Sequence, residues 1–345
     1  MEDLSMKVSV LLPTCKRPEM LRTALRSIAA QNALSQVSEI IVIENGEDRR
    51  SASVCSEFKL LPINYIFNSI PIPPGRRHAL ESLRHIKEEK MAILFDDDWW
   101  TENHLERGIQ SFSFAKDVVA SYGACAWIED EDHHLKQLFG QYNMWFATDE
   151  KPIGDRWRFQ LQQMLVANLI STTCHFSSLI VNRAAWAECI EGLDDNPFDT
   201  DRIIATQLST KGSVILDRIP SVLIRQHAGQ EGVRMNNDIG RMWFDRTSKK
   251  LTDIAEANNI DLALAYRHLM HDKAVSVGDL RSFGNFQSID YLIRQGIIQG
   301  PEVKIPGEIR KQTPNANKQR QPVLQRINAK IRGLLRRSRW PTAFR

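Results

Sequence analysis

Apolar residues along the first 125 positions fall into two alternating rhythms. Short, mostly apolar runs occupy residues 8–12, 40–43, 63–67 and 91–95 and read as strands; Ile40-Ile41-Val42-Ile43, continuous and β-branched, reads as one covered on both faces. Between the first two, Pro18 and Glu19 open a segment that sets Leu21, Leu25 and Ile28 on one helical face. Leu80, Leu83 and Ile86 mark another helix before the fourth run. Pro13 is expected to stop the first strand, and Glu44-Asn45-Gly46 to turn the chain after the second. This β-α-β alternation predicts an α/β fold with a Rossmann-like, mostly parallel central sheet and flanking crossover helices.

The pattern loosens afterwards. Residues 118–127 and 179–181 read as further strands, separated by an aromatic-rich polar stretch around 142–157. Residues 203–208 read as helix, 214–216 as strand, 242–270 as helix, and 289–298 as a second helical patch. Pro301, Pro306 and Pro314 sit in a polar linker over 300–321. Beyond it Val323, Leu324, Ile327, Ile331, Leu334 and Leu335 recur at helical spacing. Arg326, Lys330, Arg332, Arg336, Arg337 and Arg339 fill the other face, and Trp340 follows. A basic amphipathic helix over 322–345 suits an anionic membrane surface, against the plainer alternative of docking on this protein or a second copy.

Composition narrows the class. With 345 residues, 42% hydrophobic and 25% charged, the chain is long enough for one large α/β domain or two halves sharing a cleft, and global disorder is excluded. The net charge of +3 says little, but no acidic residue follows Glu308. No nucleic-acid recognition motif accompanies that basic end, so no nucleic-acid partner is expected. The acidic start lacks the features of a signal peptide, and no run of roughly 18 apolar residues could span a bilayer. Five scattered cysteines without CxxC spacing read as reduced thiols. Together these predict a cytoplasmic protein, with the tail as the element that would hold it peripherally on the inner membrane face.

Candidate chemistry gathers at strand ends. The fourth strand closes in Asp96-Asp97-Asp98 and then Trp99-Trp100. Ligands of open α/β sheets bind at the carboxyl edge of the strands. Carboxylates this crowded repel unless something positive sits among them, and a hard cation, Mn²⁺ or Mg²⁺, is the usual answer. A solvated turn or helix cap is the plainer alternative. Strand one ends in Pro13-Thr14-Cys15-Lys16-Arg17-Pro18, strand two in Glu44, and Arg76-Arg77 precede the fourth strand. Arginines beside a carboxylate-bound metal make a site for a diphosphate. Trp99 and Trp100 could stack on a sugar, or pack in the core. His133-His134, after an acidic run, read as a solvated loop rather than a metal site.

In this order the motifs resemble the GT-A-fold family 2 glycosyltransferases, inverting enzymes that use nucleotide sugars. The likeness begins at Leu11-Leu12-Pro13-Thr14 with Arg17-Pro18-Glu19-Met20-Leu21, and continues with Glu44 at the end of strand two. Gly75-Arg76-Arg77-His78-Ala79-Leu80 resembles the family's Ala-Arg-Asn segment, and Asp96-Asp97-Asp98-Trp99-Trp100 its DxD-type motif. Thr200-Asp201, running down a helix to Gly212, resembles its Glu-Asp segment, and Arg225-Gln226-His227 its Arg-x-His. The likeness spans roughly residues 7–230. Glu44 stands for the commoner Asp, Arg77 for an Asn and Thr200 for the usual Glu.

The resemblance implies roles for these residues. Pro13, Thr14, Arg17, Glu44, Arg76, Asp96 and Asp97 would bind the nucleotide sugar, with Glu44 on the base. Asp97, Asp98 and His227 would hold the metal, and Asp201 would be the catalytic base. Anchoring the motif on Trp100 makes Asp97 the principal metal ligand and Asp96 a ribose contact; anchoring on Phe95 favours Asp96 and Asp98. The plainer readings are a helix cap for Asp201, with Asp199 its local competitor, and a polar loop residue for His227. The implied layout is a nucleotide-sugar half over 1–125, an acceptor half over 126–235, a helical extension over 236–300, the linker over 301–321 and the tail. The donor would be a nucleoside-diphosphate sugar, a UDP-sugar first, and the acceptor a glycan or glycolipid of the cell surface. Rival readings are a sugar-phosphate nucleotidyltransferase, which should carry a Gly-x-Gly-Thr-Arg loop where Pro13–Arg17 stands, and a non-catalytic membrane adaptor of the same fold.

Overall fold

The short apolar runs form strands because each has two cores to enter. The computed structural model describes residues 6–72, 76–129, 135–138, 151–193, 200–227, 238–272, 276–277, 280 and 286–299. Its strands are β1 (Val8–Thr14), β2 (Val37–Asn45), β3 (Ile63–Asn68), β4 (Lys90–Ile93), β5 (Trp99–Trp100), β6 (Val118–Glu129), β7 (Leu135–Leu138), β8 (Arg156–Phe159), β9 (Leu179–Asn182) and β10 (Ser213–Gln226). They join in one sheet of order β3-β2-β1-β4-β9-β6-β10-β5, with β7 on β6 and β8 on β10. β3, β2, β1 and β4 are parallel neighbours. β9 is antiparallel to both β4 and β6, so β6 and its parallel partner β10 point the same way as β1. The expected mostly parallel sheet is present.

Helices cover both faces: α1 (Pro18–Ala29), α2 (Arg50–Glu57), α3 (Arg76–Leu83), α4 (His104–Gln110), α5 (Leu161–Ile170), α6 (Arg183–Glu191), α7 (Thr200–Lys211), α8 (Asp238–Ala257), α9 (Leu262–Asp272) and α10 (Phe286–Arg294). Alternate residues of one strand enter opposite cores. Val10, Leu12, Ile40 and Val42 pack with Leu21, Leu25 and Ile28 of α1, whereas Leu11, Ile41 and Ile43 join residues of α5, α6 and α7. The uninterrupted Ile40-Ile41-Val42-Ile43 run follows from this double burial.

Several expectations are corrected. Pro13 does not stop β1, which pairs through it to Thr14. The Leu94 N–H donates to the Leu11 carbonyl, so Pro13, two residues on, faces the same side, where β4 has already ended. Its missing N–H is therefore no loss. Strand 214–216 is the start of the longer β10, which absorbs Pro220 by shifting register against β6. The expected helix over 242–270 is two helices. Asn259 takes a left-handed φ of 57°, and the Ile260 N–H returns to the Ala255 carbonyl (2.9 Å), closing α8. The Asp261 carboxylate then caps α9 through the Leu264 N–H (2.9 Å).

The chain groups into Met1–Gly300 and Pro301–Arg345. The linker and basic tail, and His133, His134 and Asp199, lie outside the described residues. Among the described residues no helix is long and apolar enough to cross a membrane.

Trp100 is buried and stacked on His104, with ring centroids 4.5 Å apart, and His104 Nδ1 lies 2.9 Å from Ser221 Oγ. Burial lowers the His104 pKa from 6.5 to about 3. Between those values the unfolded chain takes a proton that the folded chain refuses. The stability tied to this group is therefore complete above the unfolded pKa and lost as pH falls towards the folded one. Between about pH 7 and pH 5 the melting temperature should fall further for the wild type than for His104→Phe. Parallel melting curves check this; equal falls would contradict it.

Candidate active site

Strand direction collects the polar ends at one edge. Because β1, β4 and β10 point the same way, Arg17, Asp96 to Asp98 and His227 all follow carboxyl ends. β9 runs the other way, so the short turn before it, Phe176–Ser178, reaches the same edge. α7 leads through Lys211 into the start of β10, which puts its first turn, with Asp201, at that edge too.

Asp96 is held in the floor. Its Oδ2 accepts from Thr14 Oγ1 (2.7 Å) and from the Cys15 N–H (3.3 Å), and its Oδ1 from Arg17 Nη1 (3.3 Å). Burial, then the neighbouring Asp97 charge, pushes its pKa up to about 6, against the pull of Thr14 and Arg17. The loop that supplies these donors carries Lys16 at a left-handed φ of 58°. A non-glycine residue there costs conformational energy, a feature found at functional loops.

Asp97 is the open member of the triplet. Its Oδ2 accepts from Arg17 Nη1 at 2.9 Å and lies 3.1 Å from His227 Nε2, and 16% of its side chain is exposed. Asp98 points the other way and is 2% exposed. Its Oδ2 accepts from Ser177 Oγ (2.6 Å) and its Oδ1 from the Arg225 N–H (3.3 Å). Burial holds its pKa well above the usual carboxylate range. Pairing Asp97 with Asp98 on one metal therefore does not fit this geometry, since Asp98 would have to leave both donors. Arg17 supplies part of the positive charge that the triplet demands.

Asp97 and His227 fit a hard cation. Asp97 Oδ2, which also accepts from Arg17, and His227 Nε2 lie 3.1 Å apart, with 16% and 8% of their side chains exposed. Among the described residues no group of three or more His, Cys, Asp or Glu side chains could hold a metal. A cation here would thus take its remaining ligands from substrate oxygens and water, as Mg²⁺ commonly does.

Ser177 and His175 belong to the site and were not foreseen. Ser177 Oγ accepts from the Phe95 N–H (3.2 Å) while donating to Asp98, and the Ser177 carbonyl accepts from Trp100 Nε1 (2.6 Å). His175 Nδ1 accepts from the Ser177 N–H (3.3 Å) and stands 3.8 Å from Asp98 Oδ2. A nitrogen already accepting a proton cannot donate to Asp98. Burial also lowers the His175 pKa, against the opposing pull of Asp201 and Asp97, so this contact is not an ion pair. The clue in the sequence was His175-Phe176-Ser177-Ser178 directly before a strand.

Other expected residues take different places. Glu44 is fully buried, accepting from the Ser51 N–H (3.1 and 3.2 Å), from Ser51 Oγ (2.8 Å) and from the Tyr65 hydroxyl. It caps α2 and presents no free oxygen to a base, so the contact expected of it is not made in this geometry. Trp99 and Trp100 are 4% and 3% exposed, so neither offers a face to a sugar. The Arg225 guanidinium covers Trp99, 4.9 Å from its ring. Arg76 opens α3, and among the described residues its Nε is buried without a hydrogen-bond partner, as is His78 Nε2. Cys15 is exposed and the other four cysteines are buried, all as free thiols.

The family profile described as glycosyl transferase family 2 matches residues 9–184, just over half of the chain. The chain belongs to glycosyltransferase family 2. No curated protein matches it significantly. Among solved structures, the crystal structure of S. aureus TarS residues 1–349 aligns with a TM-score of 0.50 at 11% identity, over 90% of this chain and 98% of that one. The same TarS fragment in complex with UDP-GlcNAc aligns at 0.51 and 12%, and in complex with UDP at 0.50 and 12%, with the same coverage. At such identities the likeness is one of fold, and it gives this family 2 chain the GT-A architecture.

Proposed function

We propose that this chain is a metal-dependent, inverting glycosyltransferase that moves a sugar from a nucleoside-diphosphate sugar to a hydroxyl of a glycan or glycolipid acceptor. The observation that carries the reading is the convergence of Asp96, Asp97, Arg17, Thr14 and His227 at one sheet edge. That edge is where α/β sheets hold ligands. TarS, of the same fold, is solved with UDP-GlcNAc and with UDP, which favours a UDP-sugar here.

Asp97 and His227 would hold Mn²⁺ or Mg²⁺, which when bound neutralises charge growing on the leaving diphosphate. Arg76, whose Nε has no hydrogen-bond partner among the described residues, would bind the diphosphate itself. Asp96, fixed by Thr14 and Cys15, would accept from the donor ribose. Asp201 would take the proton from the acceptor hydroxyl as it attacks, a step typically contributing about 10²–10⁴-fold. A single base on the face opposite the leaving group gives inversion at the anomeric carbon. The basic tail over 322–345 would hold the enzyme on an anionic membrane surface near a lipid-linked acceptor.

Incubating the full chain with a panel of nucleoside-diphosphate sugars and Mn²⁺ tests this. Release of the nucleoside diphosphate should follow one donor, and proton NMR of the transferred sugar should report the inverted anomer. Retention, or no donor turned over with any acceptor fraction, would contradict the reading.

A further inference from the structure

Asn168 lies in α5 and is fully buried. It uses its whole hydrogen-bonding capacity on two segments. Its Nδ2 donates to the Arg202 carbonyl (3.2 Å) and to Thr206 Oγ1 (3.0 Å), both in α7. Its Oδ1 accepts from the Thr173 N–H (3.4 Å) and from Thr173 Oγ1 (2.5 Å). Arg202 Nε returns to the Asn168 carbonyl at 2.6 Å, and Thr206 Oγ1 donates to the Arg202 carbonyl at 2.8 Å. One amide thus fastens the first turn of α7, where Asp201 sits, to residue 173. Four residues further along, Ser177 is fastened to Asp98 and to Trp100. Segment 173–178 is held at both ends, by the acceptor side through Asn168 and by the donor side through Asp98.

A surface-facing helix needs no such tie, and apolar packing would stabilise α5 against α7 more cheaply than a buried amide whose every group must be matched. What the amide adds is direction. We propose that Asn168, acting through Thr173, is a positioning residue for Asp201, keeping the base in register with the carboxylates that face the diphosphate. The inference rests on the functional reading above. Displacing a reacting group by about 1 Å can cost 10²-fold in rate, so a tie of this kind matters more to turnover than to binding.

Thr173→Val removes the hydroxyl from the tie and keeps the shape, whereas Thr173→Ser keeps the hydroxyl. With UDP-GlcNAc, or whichever panel member turns over fastest, Thr173→Val should lose about 10–100-fold in kcat while KM for the donor stays within about threefold. Thr173→Ser should recover to within about threefold of wild type. Amide exchange over residues 200–206 should quicken in the Val variant alone. Wild-type kcat in Thr173→Val, a KM that rises in step with the loss of kcat, or a Ser variant as poor as the Val variant would each overturn the proposal. If the wild type binds no nucleoside diphosphate, the functional reading fails instead. Amide exchange still judges the tie: unchanged exchange over 200–206 in Thr173→Val overturns it without reference to activity.

Discussion

Asp97→Asn should abolish most sugar transfer, while Asp98→Asn, one residue on, should leave it largely intact. The two positions are chemically identical in the sequence and opposite in the structure. Asp97 offers an oxygen beside Arg17 and His227 on the open side. Removing its charge takes away metal-held stabilisation of the leaving group, so kcat should fall by about 10²–10³-fold. Asp98 faces inward to Ser177 and the Arg225 N–H, in surroundings that already disfavour its ionised form. An amide there keeps an oxygen for the N–H and a donor for the hydroxyl, so the loss should stay under about tenfold. Steady-state rates for both variants, with melting curves to show that each folds, decide the matter. A dead Asp98→Asn beside an active Asp97→Asn would reverse the assignment.

The second large effect is expected at Asp201. Asp201→Asn removes the base but none of the groups assigned to the diphosphate, so kcat should drop by about 10²–10⁴-fold with nucleotide affinity nearly unchanged. A variant that keeps its turnover would leave Asp201 as a helix cap, its plainer role. A loss of nucleotide affinity equal to the loss of rate would move it to the donor side.

Much of this arrangement was legible in the sequence because it follows from short periodicities. The strands β1, β2, β3 and β4, and helix α1, announce themselves by apolar spacing, and the polar residues after them mark the sheet edge. The split of roles within Asp96-Asp97-Asp98 was not legible, since adjacent residues of one type in an extended turn point to different sides. Helix α5 escaped because Met164 to Ile170 are all buried, leaving no polar face to set a period. Ser177 and His175 escaped for a topological reason. Only the reversed direction of β9 brings its preceding turn to the ligand edge, and strand direction depends on long-range pairing. Glu44 was assigned to the base from motif position, whereas its side chain is consumed by α2 and Tyr65; for Trp99 and Trp100, which the sequence left between sugar stacking and core, burial selects the core.

The most direct test is calorimetric titration of UDP into the full chain with and without Mn²⁺, repeated on His227→Ala. The account predicts binding that strengthens at least about tenfold with the ion in the wild type, equivalent to about 1.4 kcal/mol, and loses that gain in His227→Ala. Equal affinity with and without Mn²⁺ in the wild type would contradict it.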